Sequence, residues 1–182
     1  SSKHPQKMTA IKIRQLDIHD ANDFRTIRLS GLQNNPEMFG STYAVESKRP
    51  LALFAERIEK SVIFAAYHEQ KIVGVIIFLQ ESGLKSAYKA NIYGFYIEPQ
   101  FRNRGIANQL LQAVIHFAQQ HVEQIMLSVV SDNNLAIALY KKHGFQTYGI
   151  ELRAMKNDAG YQDEVLMVLF LEKGTNKQIP II

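Results

Sequence analysis

The chain has 182 residues and a formal net charge of +4, a length at which one domain is expected, with roughly 70% of the unfolded surface removed from water. It contains no cysteine, which excludes disulfides, thiolate metal sites and a cysteine nucleophile, and fits a reducing, cytoplasmic setting. No apolar run reaches ~18 residues, and Lys and Arg are scattered, so neither a membrane nor a nucleic-acid partner is expected.

Taken in chain order, residues 9–16 alternate apolar and polar, as a first strand does. Residues 17–20 offer caps for a helix that carries Ala21, Phe24, Ile27 and Leu32 on one face and ends near Pro36. Pro50 opens a second helical stretch through Ile58. The β-branched runs 62–67 and 72–79, separated by His68-Glu69-Gln70-Lys71, predict a hairpin. Another strand spans 90–97 and is stopped by Pro99. From Gly105 to about Gln120 the period becomes helical, with Ile106, Leu110, Leu111, Val114, Phe117 and Ala118 on one face. A short buried strand at 125–130 precedes a helix over 133–143, which Gly144 is placed to end. Two last strands, 147–155 and 164–171, flank the turn residues Asn157-Asp158-Ala159-Gly160.

The strand, loop and helix around residues 90–120 carry the functional signal. A helix N-terminus presents unpaired N–H groups and partial positive charge, which together hold an anion. Gly105 lets a phosphate approach the main chain, Ala107 keeps the next turn small, and Arg102 and Arg104 add positive charge. Three or four charge-assisted bonds give roughly 5–10 kcal/mol gross.

Arg102-x-x-Gly105-x-Ala107 resembles the coenzyme-binding signature of the GNAT N-acetyltransferase superfamily. Downstream, the run from Asn133 through Ala136 and Tyr140 to Gly144-Phe145 is similar to that family's second signature, in family order. The resemblance covers about residues 9–172 and implies an α/β (α+β) fold of the acetyl-CoA N-acyltransferase type. That fold is a central mixed, mostly antiparallel sheet of about seven strands, with helices on both faces and a splay between strands four and five. It implies an N-acetyltransferase domain over 9–172, with a disordered or tag-derived tail at 1–8 and a C-terminal tail at 173–182. It also implies acetyl-CoA as co-substrate, held by Phe95, Tyr96, Ile97, Arg102, Asn103, Arg104, Gly105, Ile106, Ala107, Asn133 and Tyr140. The expected reaction is direct attack of a primary amine, on a small molecule or a peptide, in a ternary complex. The alternative is a non-catalytic acetyl-CoA-binding or regulatory domain on the same fold. A homodimer is the default expectation for such a chain.

Acetyl transfer needs a neutral amine, a stabilised oxyanion and a protonated leaving thiolate. A Lys-like amine lies roughly 3.4 pH units above neutrality, so deprotonating it costs about 4.6 kcal/mol without help. N–H groups near Ile97 are placed to polarise the thioester. Tyr140 is the candidate acid, since a phenol stays protonated at neutral pH and can donate to the thiolate. The candidate base is Glu98, with Tyr96 on the same side under strict alternation, acting directly or through water. No His/Asp/Glu cluster has metal-ligand spacing, so no metal is expected. For the acceptor, Phe39 and Tyr43 are candidate pocket walls, and Glu37, Glu46 or Asp163 candidate attractors of a cation.

Overall fold

The computed structural model describes residues 10–172, so the tails expected at 1–8 and 173–182 lie outside the described residues. Seven strands form one sheet: β1 (Ile11–Gln15), β2 (Val62–His68), β3 (Lys71–Gln80), β4 (Lys89–Ile97), β5 (Gln124–Val130), β6 (Gln146–Asn157) and β7 (Gly160–Phe170). Their order is β1-β2-β3-β4-β5-β7-β6. Every neighbouring pair is antiparallel except β4 and β5, which run parallel. This is the mixed, mostly antiparallel sheet that the resemblance implies.

Five α-helices cover the sheet: α1 (Ala21–Asn34), α2 (Tyr43–Glu46), α3 (Leu51–Lys60), α4 (Ile106–Gln119) and α5 (Asn134–Lys142). Phe24, Ile27 and Leu32 of α1 join Phe54 and Ile58 of α3 on one face, against Ile63, Ala65, Val75 and Ile77. Ile106, Leu110, Leu111, Val114 and Ala118 of α4 pack on the other face, with Val73, Ile76, Phe78 and Ile92. Each such side chain contributes about 1.5–3 kcal/mol on leaving water. These stripes are the ones that the helical period predicts.

The short elements escape prediction. Asp17 and Asp20 cap a single 3-10 turn (Ile18–Asp20) rather than α1 directly, and Asp20 also takes a two-bond ion pair from Arg14 at 2.8 and 2.9 Å. Helix α2 is one turn long, capped by Thr42, whose Oγ1 accepts from the Val45 N–H at 3.2 Å. Elements this short bury too few residues to show a period.

Strands β4 and β5 pair only at Lys89–Asn91 with Gln124–Met126. Beyond that point β5 keeps β7 on its far edge and β4 keeps β3, so a cleft opens between them. A β-bulge in β4 marks the parting. Tyr93 faces Ile77 and Tyr96 faces Val75, leaving Gly94 and Phe95 opposite a single residue. Gly94 sits at φ +62, where a Cβ would also lie 2.8 Å from Ile77 Cδ1. Only glycine fits there, and the extra residue reverses which face each later side chain takes.

Candidate active site

The free edge of β4 is the first component. The Glu98 N–H donates to Val73 O at 2.8 Å, so Glu98 turns its amide toward β3. By alternation Ile97 turns its N–H and C=O away from β3 into the cleft, and Phe95 does the same. Ile97 O is already occupied: it accepts from Arg102 Nε at 3.0 Å.

The loop after β4 is the second. Asn103 and Gly105 both adopt left-handed backbone, at φ 63 and 78. Between Asn103 and Asn108, no N–H donates to an acceptor among the described residues. A run of unpaired amides with alternating backbone hand forms a nest for an anion. A Cβ on Gly105 would meet nothing within 4 Å, so the space above it is open.

The two arginines are placed differently from expectation. Arg102 is pinned rather than mobile: its Nη2 donates to Asn35 Oδ1 at 2.8 Å, and its guanidinium carbon lies 5.7 Å from the Tyr96 ring centre. Arg104 does not line the cleft; its guanidinium carbon lies 5.1 Å from the Phe101 ring centre. The donors left free at this end of the cleft are therefore main-chain amides.

A cavity of about 710 Å³ runs from this loop along β4, a size suited to a small-molecule ligand. Phe95, Tyr96, Ile97, Arg102, Asn103, Gly105, Ile106, Ala107, Asn133 and Tyr140 all line it. Tyr140 is held between Phe95 and Phe145, with ring centres 6.3 and 5.6 Å away. Burial pushes its hydroxyl well above the usual tyrosine range, so it stays protonated. Asn133 Oδ1 caps α5 by accepting from Ala136 N at 3.2 Å, while its Nδ2 reaches Met38 Sδ at 3.5 Å. The side chain of Tyr96 is committed elsewhere, its hydroxyl accepting from Asn34 Nδ2 at 2.9 Å.

Glu98 is not among the lining residues, because the strand ends there and its amide is drawn to β3. The carboxylate that does line the cavity is Glu164 of β7. Sequence reasoning did not single it out as the base, since it reaches the cleft through pairing of β7 with Val130 of β5. The acceptor residues also divide. Phe39 lines the cavity and Tyr43 does not. Among the suggested acids, Glu37 accepts from Asn35 Nδ2 at 3.3 Å and Asp163 from the Arg153 N–H at 2.8 Å.

Glu46 is unavailable to a substrate cation. It is fully buried and takes two bonds from Arg28, Nε to Oε1 and Nη2 to Oε2, both at 3.0 Å. Arg57 Nη1 adds a second ion pair at 3.5 Å. Burial alone would raise the Glu46 carboxyl, but the Arg28 bonds and charge, with Ser41 and Arg57, hold it below the ordinary carboxylate value. Arg28 itself lines the cavity, a position that no local pattern in the chain signals.

Among the described residues no helix is long and apolar enough to cross a membrane, and no group of His, Cys, Asp and Glu is placed to hold a metal. The acetyltransferase of the GNAT family from Streptococcus pneumoniae superposes with a TM-score of 0.79 at 19% identity, covering 90% of this chain and 100% of that one. The yncA structure from Salmonella typhimurium, a putative acetyltransferase with its cofactor acetyl-CoA, gives 0.77 at 18% identity, covering 90% and 95%. In sequence, the N-alpha-acetyltransferase RimI of Mycobacterium tuberculosis is 32% identical over 71 residues, 39% of this chain and 44% of the relative. The L-amino acid N-acetyltransferase AaaT of Escherichia coli is 31% identical over 77 residues, 41% and 48% respectively. The matching stretch thus spans about half the length of these curated relatives. The model of the acetyltransferase (GNAT) family matches residues 32–145, a span that holds the splayed edge of β4, the amide nest and α5. With more than half its length so matched, the chain belongs to the acetyltransferase (GNAT) family.

Proposed function

We propose that the chain is an acetyl-CoA-dependent N-acetyltransferase that moves the acetyl group to a primary amine by direct attack in a ternary complex. The observation that carries this reading is the run of unpartnered amides from Asn103 to Asn108 at the end of an unpaired strand edge. The pyrophosphate of the co-substrate fits the amides, and its pantetheine arm fits the β4 edge as an added strand. From the nest, an arm that pairs with Ile97 and then Phe95 brings its thioester to the Gly94 bulge.

Chemistry then needs two protons removed from the nitrogen, one before attack and one as the amide forms, and one supplied to the sulfur. Glu164, the carboxylate of the cavity lining, takes the proton from the incoming ammonium, directly or through water. The neutral amine forms a C–N bond to the thioester carbonyl, whose oxygen is polarised by the N–H of Phe95 or Ile97. As the C–S bond breaks, Tyr140 donates its hydroxyl proton to the sulfur and regains one through solvent from the nitrogen, which sheds its second proton as the amide forms. The products are the acetamide and the free thiol. RimI is named as an N-alpha-acetyltransferase and AaaT as an L-amino acid N-acetyltransferase, so α-amines of peptides and of free amino acids both belong in the test. Thiol release is measured with acetyl-CoA against peptides, amino acids, polyamines and aminoglycosides. Release with at least one amine is expected. Binding of acetyl-CoA without release from any of them would leave a non-catalytic binding domain.

A further inference from the structure

We propose that Arg28 recognises a carboxylate on the acceptor, so that the amine acetylated is that of a free amino acid or a similar small amino-carboxylate. This rests on the transferase reading above and names its substrate class.

Arg28 lies on α1 and is only 6% exposed. Two of its guanidinium nitrogens are spent on Glu46. The third, Nη1, is buried and has no hydrogen-bond partner among the described residues, yet the residue forms part of the cavity wall. Buried donors are almost always paired, because an unmade bond forfeits the whole cost of desolvation. The charge is unbalanced in the same direction. Glu46 is shared with Arg57, whose Nη1 is also buried without a hydrogen-bond partner. Two guanidinium groups thus face one carboxylate, and the cluster carries one positive charge in excess. Tyr93 feels the charges of this cluster, and its hydroxyl is held above the usual value chiefly by burial, which Arg57 and Arg28 oppose. A neutral phenol leaves the surplus charge uncancelled. An anion that offers two acceptor oxygens satisfies both the donor and the charge.

Position decides which anion. A Cβ built on Gly94 would lie 3.1 Å from Arg28 Nη1, so the free donor stands beside the bulge where the thioester arrives. On the opposite face of β4, Tyr140 meets Phe95 at the same level. In an α-amino acid the amine is one carbon away from the carboxylate. Seating the carboxylate on Nη1 therefore holds the amine at the bulge, between the base side and the leaving sulfur. The walls next to Nη1 are apolar: the Phe39 ring centre lies 5.0 Å from the guanidinium carbon, and Met38 lines the cavity beside it. A hydrophobic amino-acid side chain fits them. A polyamine would meet the surplus charge as repulsion, and a peptide N-terminus carries no α-carboxylate.

The test uses the full chain with acetyl-CoA and three matched sets: L-methionine, L-leucine and L-phenylalanine, each with its amide and its decarboxylated amine. For at least one set, kcat/KM for the free amino acid is expected to exceed that of both analogues by roughly 30-fold, the worth of a charge-assisted bond. Arg28→Lys keeps a cation for Glu46 but removes the forked third donor, so it should bring the acid to within about threefold of its amide. Calorimetry in the presence of CoA adds a readout free of turnover, with N-acetyl-L-methionine binding and its amide not binding. Amides or plain amines used as well as the acids, or a preference that survives R28K, would overturn the carboxylate assignment and leave the transferase standing. No thiol release from any amine would overturn both readings. Should R28K fail to fold, the wild-type panel and the calorimetry still decide.

Discussion

Arg102 Nε donates to the main-chain oxygen of Ile97 at 3.0 Å, on the edge of β4 that faces the cleft. The consequence is that Ile97 offers that cleft its N–H alone. The first arginine of the coenzyme signature thus holds the strand end and, through Asn35 Oδ1 at 2.8 Å, the end of α1. The amides of the following turn are left without a partner among the described residues, free for the proposed phosphate contacts. Positive charge near the nest still helps, but geometry is supplied by backbone.

Binding at the nest is therefore expected to be sensitive to its one Cβ-free position. Gly105→Glu places a carboxylate in the open space above Gly105 and forces a non-glycine into φ +78. The melting temperature should rise with acetyl-CoA in the parent, by about 2.7 kcal/mol of stabilisation at one hundred times Kd, and not in the variant. Equal shifts in a thermal scan would remove the nest from coenzyme binding.

Tyr140→Phe removes a hydroxyl and keeps the ring between Phe95 and Phe145. As general acid, Tyr140 should be worth ~10²-fold in kcat with little effect on coenzyme affinity. Burial raises its hydroxyl above the ordinary tyrosine value, so the acid form persists as pH rises. In the parent, kcat should show no alkaline fall up to pH ~9.5 from this group. Equal kcat for the two proteins between pH 6 and 9 would leave solvent as the proton source.

Glu164→Gln should lower kcat/KM by ~10²-fold at pH 7. The deficit is expected to shrink at higher pH, because the acceptor amine then supplies more of its own neutral form. Parallel pH profiles for parent and variant would show that Glu164 does not take the proton.

Glu46→Gln leaves the buried Arg28, and the partly exposed Arg57, without their counter-charge, and removing one partner of a buried pair costs about 3–5 kcal/mol. The same carboxylate gives stability a pH dependence. Its folded value lies below the unfolded one, so its contribution is complete above about pH 5 and is lost as pH falls through the folded value. Urea titrations of both proteins at pH 7 and pH 4 check this. The gap between them should narrow on acidification.

Much of this fold is legible in the sequence because its signals are local. The stripe Leu110-Leu111-Val114-Ala118, Gly144 at the end of α5, and the turn at Gly160 each depend on residues a few places apart. A helix period or a required left-handed backbone is written within one or two turns of chain. The nest at Gly105 belongs to the same class, as does Tyr140, once the two signatures are read together.

What tertiary structure alone decided is which side chains face the cleft and with what left unpaired. Tyr96 and Glu98 share a side by alternation, yet Tyr96 lines the cleft and Glu98 does not, so that pattern does not identify a base. Glu164 reaches the cavity through the pairing of β7 with β5, and Arg28 keeps a free donor because Glu46, in another helix, takes only two of its three nitrogens. Such contacts join residues distant in sequence, and their energies depend on burial and on partners that no local window contains.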